Sequence, residues 1–449
     1  MPTRFARPLV QITLLLLFLL GFALAQQQPA PTKATPMPKT PPPKISSHVV
    51  LILVSGLGAD LLLNAERTHL PKLYAALSQG VVATAAEGVY PSLAQPAQAT
   101  IATGMLPADH GTFTNDDTVK LIELPAEPAE KAKKNMFIWE SATKAGLSVA
   151  AIGYNLTKGA NIKFNYPNFP KPSANETTEN KKPKNGVYTQ ALNADEQRAR
   201  KACELIEAAQ PNLLLINFSS LAFTLSQFGT TSKEVQATLE NIDKWLVQIM
   251  ASTEKTKMNS QTTFFVVSDS GMARAENEFN PNVVLAKKGW LTTDAQGNIA
   301  NWKAVAQPLG GAVAIFVKSQ ADEKAVETLF REIHQTPDSP VWRIFSRQEL
   351  SRVGAIPSAA LMLDAAPNYL FGGTAKGSTI SKSKVHATAG YSPQRVEMRP
   401  VFSAFGKGIK SKASLGFMRL TDVAPTVARL LGITHPASRG RVLTEMLQP

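Results

Sequence analysis

The sequence predicts an α/β fold, a three-layer sandwich with a central, mostly parallel sheet, helices on both faces and a smaller inserted cap. Three observations lead there. Short apolar runs rich in β-branched residues recur along the chain, amphipathic stretches with helix-stop signals lie between them, and no internal repeat breaks the alternation. Parallel strands need long crossovers, and helices that make those crossovers cover both faces of the sheet.

The strand runs are residues 49–54, 148–153, 213–218, 263–267, 312–317 and 401–405. Their length and composition separate them from helix segments. Helical patterns occupy 70–79, stopped by Gly80, then 135–145, 195–209 and 233–250. A last one covers 422–431, with Thr421 as a cap candidate and Gly432 as its stop. Two stretches fall out of rhythm. Residues 155–186 are rich in Asn, Pro and Lys and read as a long loop, and the mixed signals of 272–311 place a cap insertion within 273–375. The Asn-X-Thr/Ser patterns at Asn155, Asn175 and Asn217 are too short to carry weight.

The N-terminus reads as an export signal. Arg4 and Arg7 precede an unbroken apolar run over 12–25, and Ala23-Leu24-Ala25 is a small-x-small cleavage site. The run is short of the roughly 20 apolar residues that span a bilayer. Residues 1–25 are therefore expected to be a signal peptide, with an uncleaved signal anchor as the alternative and the one route to a membrane. Residues 26–47, rich in Pro, Gln, Thr and Lys, cannot bury a core and read as a disordered linker. The folded domain is expected over 48–449, periplasmic or secreted after cleavage near Ala25.

Cys203 is the single cysteine, which excludes an internal disulfide and a thiolate metal site. The formal charge of +13 suits an anionic ligand or surface. Much of it lies in loop clusters such as Lys131, Lys133 and Lys134, or Lys181, Lys182 and Lys184, and no nucleic-acid motif accompanies it.

Ligands of a parallel α/β sheet sit beyond the C-terminal ends of its strands. The segments there are Ser55-Gly56-Leu57, the stretch from Tyr90 to Gly104, the stretch from Ser219 to Gly229, Ser268-Asp269-Ser270-Gly271-Met272 and Ala387-Thr388-Ala389-Gly390-Tyr391. Around them stand Thr103-Gly104 with Pro107, His110-Gly111, Asn115, Ile138-Trp139-Glu140, Glu397-Met398-Arg399-Pro400 and Asp422-Val423-Ala424-Pro425-Thr426. In this order and spacing the chain resembles the type I phosphodiesterase and nucleotide pyrophosphatase branch of the alkaline phosphatase superfamily, over nearly all of residues 48–443.

That resemblance implies an alkaline phosphatase-like fold and two zinc ions held by Asp and His beside a Thr nucleophile. Paired metals stabilise the attacking and leaving oxygens of phosphoryl transfer, and a metal activates the weak hydroxyl nucleophile. The chain departs from this pattern at the site itself. The nucleophile position is Ala94, and the Asn position that helps bind phosphoryl oxygen is Ala97. The metal-ligand positions fall at Ser55, Ala222, Ser226, Asp269, Ser270 and Ala389, where Asp269 alone keeps a ligand type. A catalytic zinc takes about three protein ligands and an open position. No zinc is expected here.

The remaining candidates read as structural. Ser92 is a hydroxyl near Ala94 without an evident base. His386 fits an exposed loop and His110 a turn. His48, His69, His334 and His435 have no metal-like spacing. The expectation is an exported pseudoenzyme binding an anionic or phosphate-bearing ligand, or an envelope partner. The alternatives are an active phosphodiesterase or pyrophosphatase with non-standard residues, and a structural envelope protein.

Overall fold

The computed structural model describes residues 40–64, 70–115, 137–170, 184–436 and 438–449 of the chain. The signal segment, most of the Pro-rich linker, His69, Asn175 and the Lys131 to Lys134 cluster lie outside the described residues.

The first part of the chain supplies β1 (His48–Val54), β2 (Val81–Glu87), β3 (Val149–Ile152), β4 (Phe164–Tyr166), β5 (Leu213–Phe218) and β6 (Thr262–Val267). The chain then leaves the main sheet. It forms β7 (Ala273–Phe279), β8 (Leu291–Thr293), β9 (Ile299–Trp302), β10 (Ala304–Leu309), β11 (Ala312–Val317), β12 (Val341–Ser346) and β13 (Leu361–Ala365). β14 (Asn368–Phe371), β15 (Ile380–Lys382) and β16 (Ala387–Thr388) follow, and the chain returns with β17 (Phe402–Gly406) and β18 (Ala413–Arg419).

The main sheet has eight strands in the order β18-β2-β17-β6-β1-β5-β3-β4. β1 pairs in parallel with β5 on one side and β6 on the other. β17 alone runs against its neighbours, so the sheet is mostly parallel. β10-β11-β13-β12 make a separate antiparallel sheet, β7 gathers β14, β15 and β16, and β8 pairs with β9. These smaller sheets are cap-like insertions between β6 and β17. The apolar run over 312–317 is thus β11, a strand of the inserted antiparallel sheet and not of the main one.

A sheet covered on both faces needs strands that are apolar on both faces. β1 shows why the sequence meets this. Val49, Leu51 and Leu53 pack with Trp139, Ile101 and Val427 on one face. Val50, Ile52 and Val54 pack with Leu205, Leu239 and Trp245 on the other. The inserted sheets bury their own cluster around Phe316, Phe330, Phe345 and Met362.

Some elements differ from their sequence reading. The helix expected from residue 195 begins at Lys184 and runs to Ala209. The helix Ala94–Thr103 went unread because residues 95–103 are all buried, which leaves no polar face to give a period. The helix Ser220–Phe228 was hidden in the same way by its apolar stretch. Thr421 is not the cap of the last helix, Val423–Leu431. The preceding turn is held by Asp422, whose carboxylate accepts the N–H groups of Arg419 and Arg441, each at 2.9 Å. Thr421 Oγ1 is buried without a hydrogen bond. The described end of the Pro-rich segment is seated on this helix. The N–H groups of Ile45 and Ser46 both donate to the Leu430 carbonyl at 2.9 Å, and Arg429 donates to the Pro43 carbonyl at 2.8 Å.

Two buried polar groups tie helices to the sheet. Asp195, with no exposed surface, accepts the N–H groups of Ser219 at 2.8 Å and Ser220 at 2.6 Å and pairs with Arg198 at 2.6 Å. It thereby fixes the start of the helix Ser220–Phe228 against the long helix Lys184–Ala209. His435 bridges the Ser141 hydroxyl (Nδ1, 3.0 Å) and the Thr103 carbonyl (Nε2, 3.1 Å). Nε2 must donate to the carbonyl, and since burial holds the ring neutral, Nδ1 accepts from the Ser141 hydroxyl.

Asp195→Ala removes the counter-charge of Arg198 and the acceptor of two N–H groups, and should lower unfolding free energy by about 3–5 kcal/mol in urea titrations. Burial pushes the His435 pKa down to about 4 from 6.5. Its contribution is therefore present above pH 6.5 and lost as pH falls through the folded value. That is worth about 3 kcal/mol, and urea titrations at pH 7 and pH 4 should show His435→Gln to be correspondingly less acid-sensitive than the wild type.

Candidate functional site

The site is built at the C-terminal edge of β5, β1 and β6. β1 ends at Val54, and the Ser55 N–H continues toward β5 by donating to the Phe218 carbonyl at 2.9 Å. The Ser55 hydroxyl donates to Asn217 Oδ1 at 3.2 Å, and Asn217 Nδ2 donates to the Gly153 carbonyl at 3.1 Å. Three strand ends are thus cross-linked by one serine and one asparagine. Asn217 was missed as a site residue in the sequence reading. The signal available was an amide in an otherwise apolar, fully buried strand.

Gly56 turns the chain away from β1 with φ +85° and lies against the Ala222 backbone, where a Cβ would stand 3.0 Å from the Ala222 Cα. Its N–H donates to Asp269 Oδ1 at 3.0 Å, and the Ser270 N–H donates to the same oxygen at 2.7 Å. Asp269 Oδ2 is buried without a hydrogen bond. Burial pushes the Asp269 pKa up, and the N–H groups of Gly56 and Ser270 oppose that shift. The carboxylate therefore acts as a clip between the turns that follow β1 and β6.

The other positions join from the far side. The Ser92 carbonyl accepts the Ser270 hydroxyl at 3.2 Å and the Gly390 N–H at 3.0 Å, which brings the turn before Ala94 together with the loop carrying Ala389. Gly390 is required there, since its φ is +98° and a Cβ would stand 1.8 Å from the Leu309 carbonyl oxygen. Ala222 and Ser226 lie one helical turn apart on Ser220–Phe228, and the Ser226 carbonyl accepts the His386 N–H at 2.8 Å. Ala94 opens the helix Ala94–Thr103, half-buried, while Ala97 is fully buried within it. Asn115 holds the first turn, accepting the Gln95 N–H at 3.0 Å and the Gln95 side-chain amide at 2.7 Å. Contacts thus link Ser55, Ala222, Asp269, Ser270, the turn before Ala94 and the loop of Ala389 around one sheet edge, with Ser226 joined to that loop through His386.

The chemistry of this edge is neutral. Ser92 is fully buried and its hydroxyl donates to the Val89 carbonyl at 2.9 Å, with no base beside it. The histidines have other duties. His110 Nδ1 accepts the Thr112 N–H at 3.1 Å while Nε2 meets the Thr100 hydroxyl at 3.0 Å, which makes it a turn residue. His48 and His334 hydrogen-bond the Pro211 and Val341 carbonyls, and the His386 side chain is exposed. Among the described residues no group of three or more His, Cys, Asp or Glu is placed to hold a metal ion. Methyl groups, serine hydroxyls and one carboxylate whose Oδ1 already serves two N–H groups do not fit a zinc pair. No helix among the described residues is long and apolar enough to cross a membrane.

The fold recurs in solved structures. Human ectonucleotide pyrophosphatase/phosphodiesterase 5 superposes with a TM-score of 0.64 at 17% identity, covering 90% of this chain and 100% of that one. The murine form of that protein, as an inactive threonine-to-alanine variant in complex with AMP, gives the same TM-score of 0.64, 17% identity and coverages of 90% and 100%. A further murine structure gives 0.61 at 17% identity, with coverages of 87% and 97%. No curated protein matches the sequence significantly. The family profile described as type I phosphodiesterase / nucleotide pyrophosphatase matches residues 49–392. The chain belongs to the type I phosphodiesterase / nucleotide pyrophosphatase family of the alkaline phosphatase superfamily.

Proposed function

We propose that this chain is an exported member of its family that no longer hydrolyses phosphoesters with metal ions and instead binds a phosphate-bearing ligand at the sheet edge. One observation carries the reading. Ser55, Ala222, Asp269 and Ser270, with the turns that present Ala94 and Ala389, converge on one edge, and among these residues Asp269 alone carries a carboxylate and none an imidazole. Ala94, at the position the family resemblance gives to the nucleophile, has no nucleophilic atom. Loss of the nucleophile and of the metal ligands removes one catalytic unit, and such losses together abolish most of the rate enhancement.

Binding without turnover is chemically coherent at such an edge. The murine structural relative, inactive with alanine in place of a threonine, is recorded with AMP bound. Small neutral side chains also avoid the cost of burying like charges once cations are absent. Asp269 persists in this reading because it serves backbone N–H groups, not a metal. Export rests on the basic start, the apolar run and the cleavage pattern of residues 1–25.

Purified full-length protein should contain no stoichiometric zinc by elemental analysis and should hydrolyse a chromogenic phosphodiester no faster than buffer. Two zinc ions per chain, or hydrolysis abolished by a chelator, would sink the reading. Asp269→Asn keeps an acceptor for Gly56 and Ser270, and should change unfolding free energy by less than about 1 kcal/mol. Asp269→Ala leaves both N–H groups unpaired and should cost about 2–4 kcal/mol. Denaturant titration of the two variants tests this clip, and equal destabilisation by Asp269→Asn and Asp269→Ala would count against it.

A further inference from the structure

We propose that the seam between the main sheet domain and the inserted sheets is a second binding site, for a ligand carrying a phosphate-class oxyanion. A cavity of about 770 Å³ opens there, within the size range of small-molecule sites. Leu106, Ala108 and Arg439 line it from the main domain, and Arg347, Arg352 and Gly354 line it from the insertion. The seam lies past the C-terminal end of the helix Ala94–Thr103, whereas Ala94 stands at its N-terminal end. At 1.5 Å per residue the two sites are roughly 15 Å apart.

The walls are fixed before any ligand arrives. The Ala108 N–H donates to the Gly354 carbonyl at 2.9 Å. Gly354 has φ +62°, and a Cβ there would stand 2.6 Å from Leu106 Cδ1, so the two domains touch backbone to side chain. Arg439 is held by Asp109 through two bonds at 3.0 and 2.8 Å. Arg347 is held by Glu323 at 3.3 and 3.1 Å and by the Pro357 carbonyl at 3.1 Å. These contacts use one N–H on each nitrogen of Arg347, which leaves one N–H on each of its two terminal nitrogens. Arg352 is exposed, and its side chain makes no hydrogen bond or ion pair with a described residue.

Three arginines therefore line one cavity, two held by carboxylates and one with an unpaired side chain. Planar guanidinium forks match the paired oxygens of phosphate, and pre-oriented forks lose little entropy on binding. Asp109 and Glu323 already neutralise Arg439 and Arg347, so a bound oxyanion gains the charge of Arg352 and the spare N–H groups of Arg347. The net charge of the whole chain, +13, adds a long-range attraction for an anion.

The test is isothermal titration calorimetry of the full-length protein with inorganic pyrophosphate, on the wild type, Arg352→Glu and Ser226→Glu. Arg352 has no partner to lose, so Arg352→Glu should keep the wild-type melting temperature while weakening pyrophosphate binding at least about tenfold; raised salt should weaken wild-type binding similarly. Ser226→Glu places a negative charge at the sheet edge and should leave seam binding intact, so failure of the sheet-edge reading does not decide this one. The proposal is overturned if the wild type binds no pyrophosphate at millimolar concentration, or if Arg352→Glu binds it as the wild type does.

Discussion

The structure depends on β1 being held in parallel between β5 and β6. Its register runs Val49 to Leu213 on one side and Val49 to Thr263 on the other. A parallel strand in mid-sheet has its backbone groups satisfied by both neighbours, and its side chains must then suit both faces. Val49 to Val54 does this with six consecutive apolar residues of 2% exposure or less. Because all three strands run the same way, their last residues, Val54, Phe218 and Val267, open into turns on the same edge. The turns that carry Ser55, Asp269 and Ser270 meet on that edge because of this one pairing.

The edge also explains which polar groups persist. Turns after buried strands expose N–H groups that no neighbouring strand can take. Asp269 takes those of Gly56 and Ser270, and Asp195 takes those of Ser219 and Ser220. Both carboxylates are fully buried, and burial pushes both pKa values up, so neither is placed for easy ionisation without its donors. Asp269 thus has structural partners of its own among the serines and alanines of this edge.

Much of the architecture was legible in residues. The apolar runs of β1, β5 and β6 were unmistakable because burial on both faces leaves no alternation to confuse with a helix. β2 and β18 were not, since Val-Val-Ala-Thr-Ala-Ala-Glu and Ala-Ser-Leu-Gly-Phe-Met-Arg are weakly apolar and only partly buried. The run over 312–317 was read as a strand, but its composition does not say which sheet it joins. The helix Ala94–Thr103 carries motif residues yet has no amphipathic period, because the core surrounds it.

The sequence by itself determined that this is an α/β chain of the phosphodiesterase kind, with alanine and serine where the family resemblance puts its nucleophile and most of its ligands. These are properties of residue identity and order, and order survives in a string. Only the tertiary structure decided that the Ser92 carbonyl joins the loop of Ala389 to Ser270, that Asn217 ties β5 to Ser55, and that Arg347 and Arg439 meet across a seam. These contacts join residues far apart in the chain, and their geometry is set by how helices and sheets pack, which no local pattern encodes.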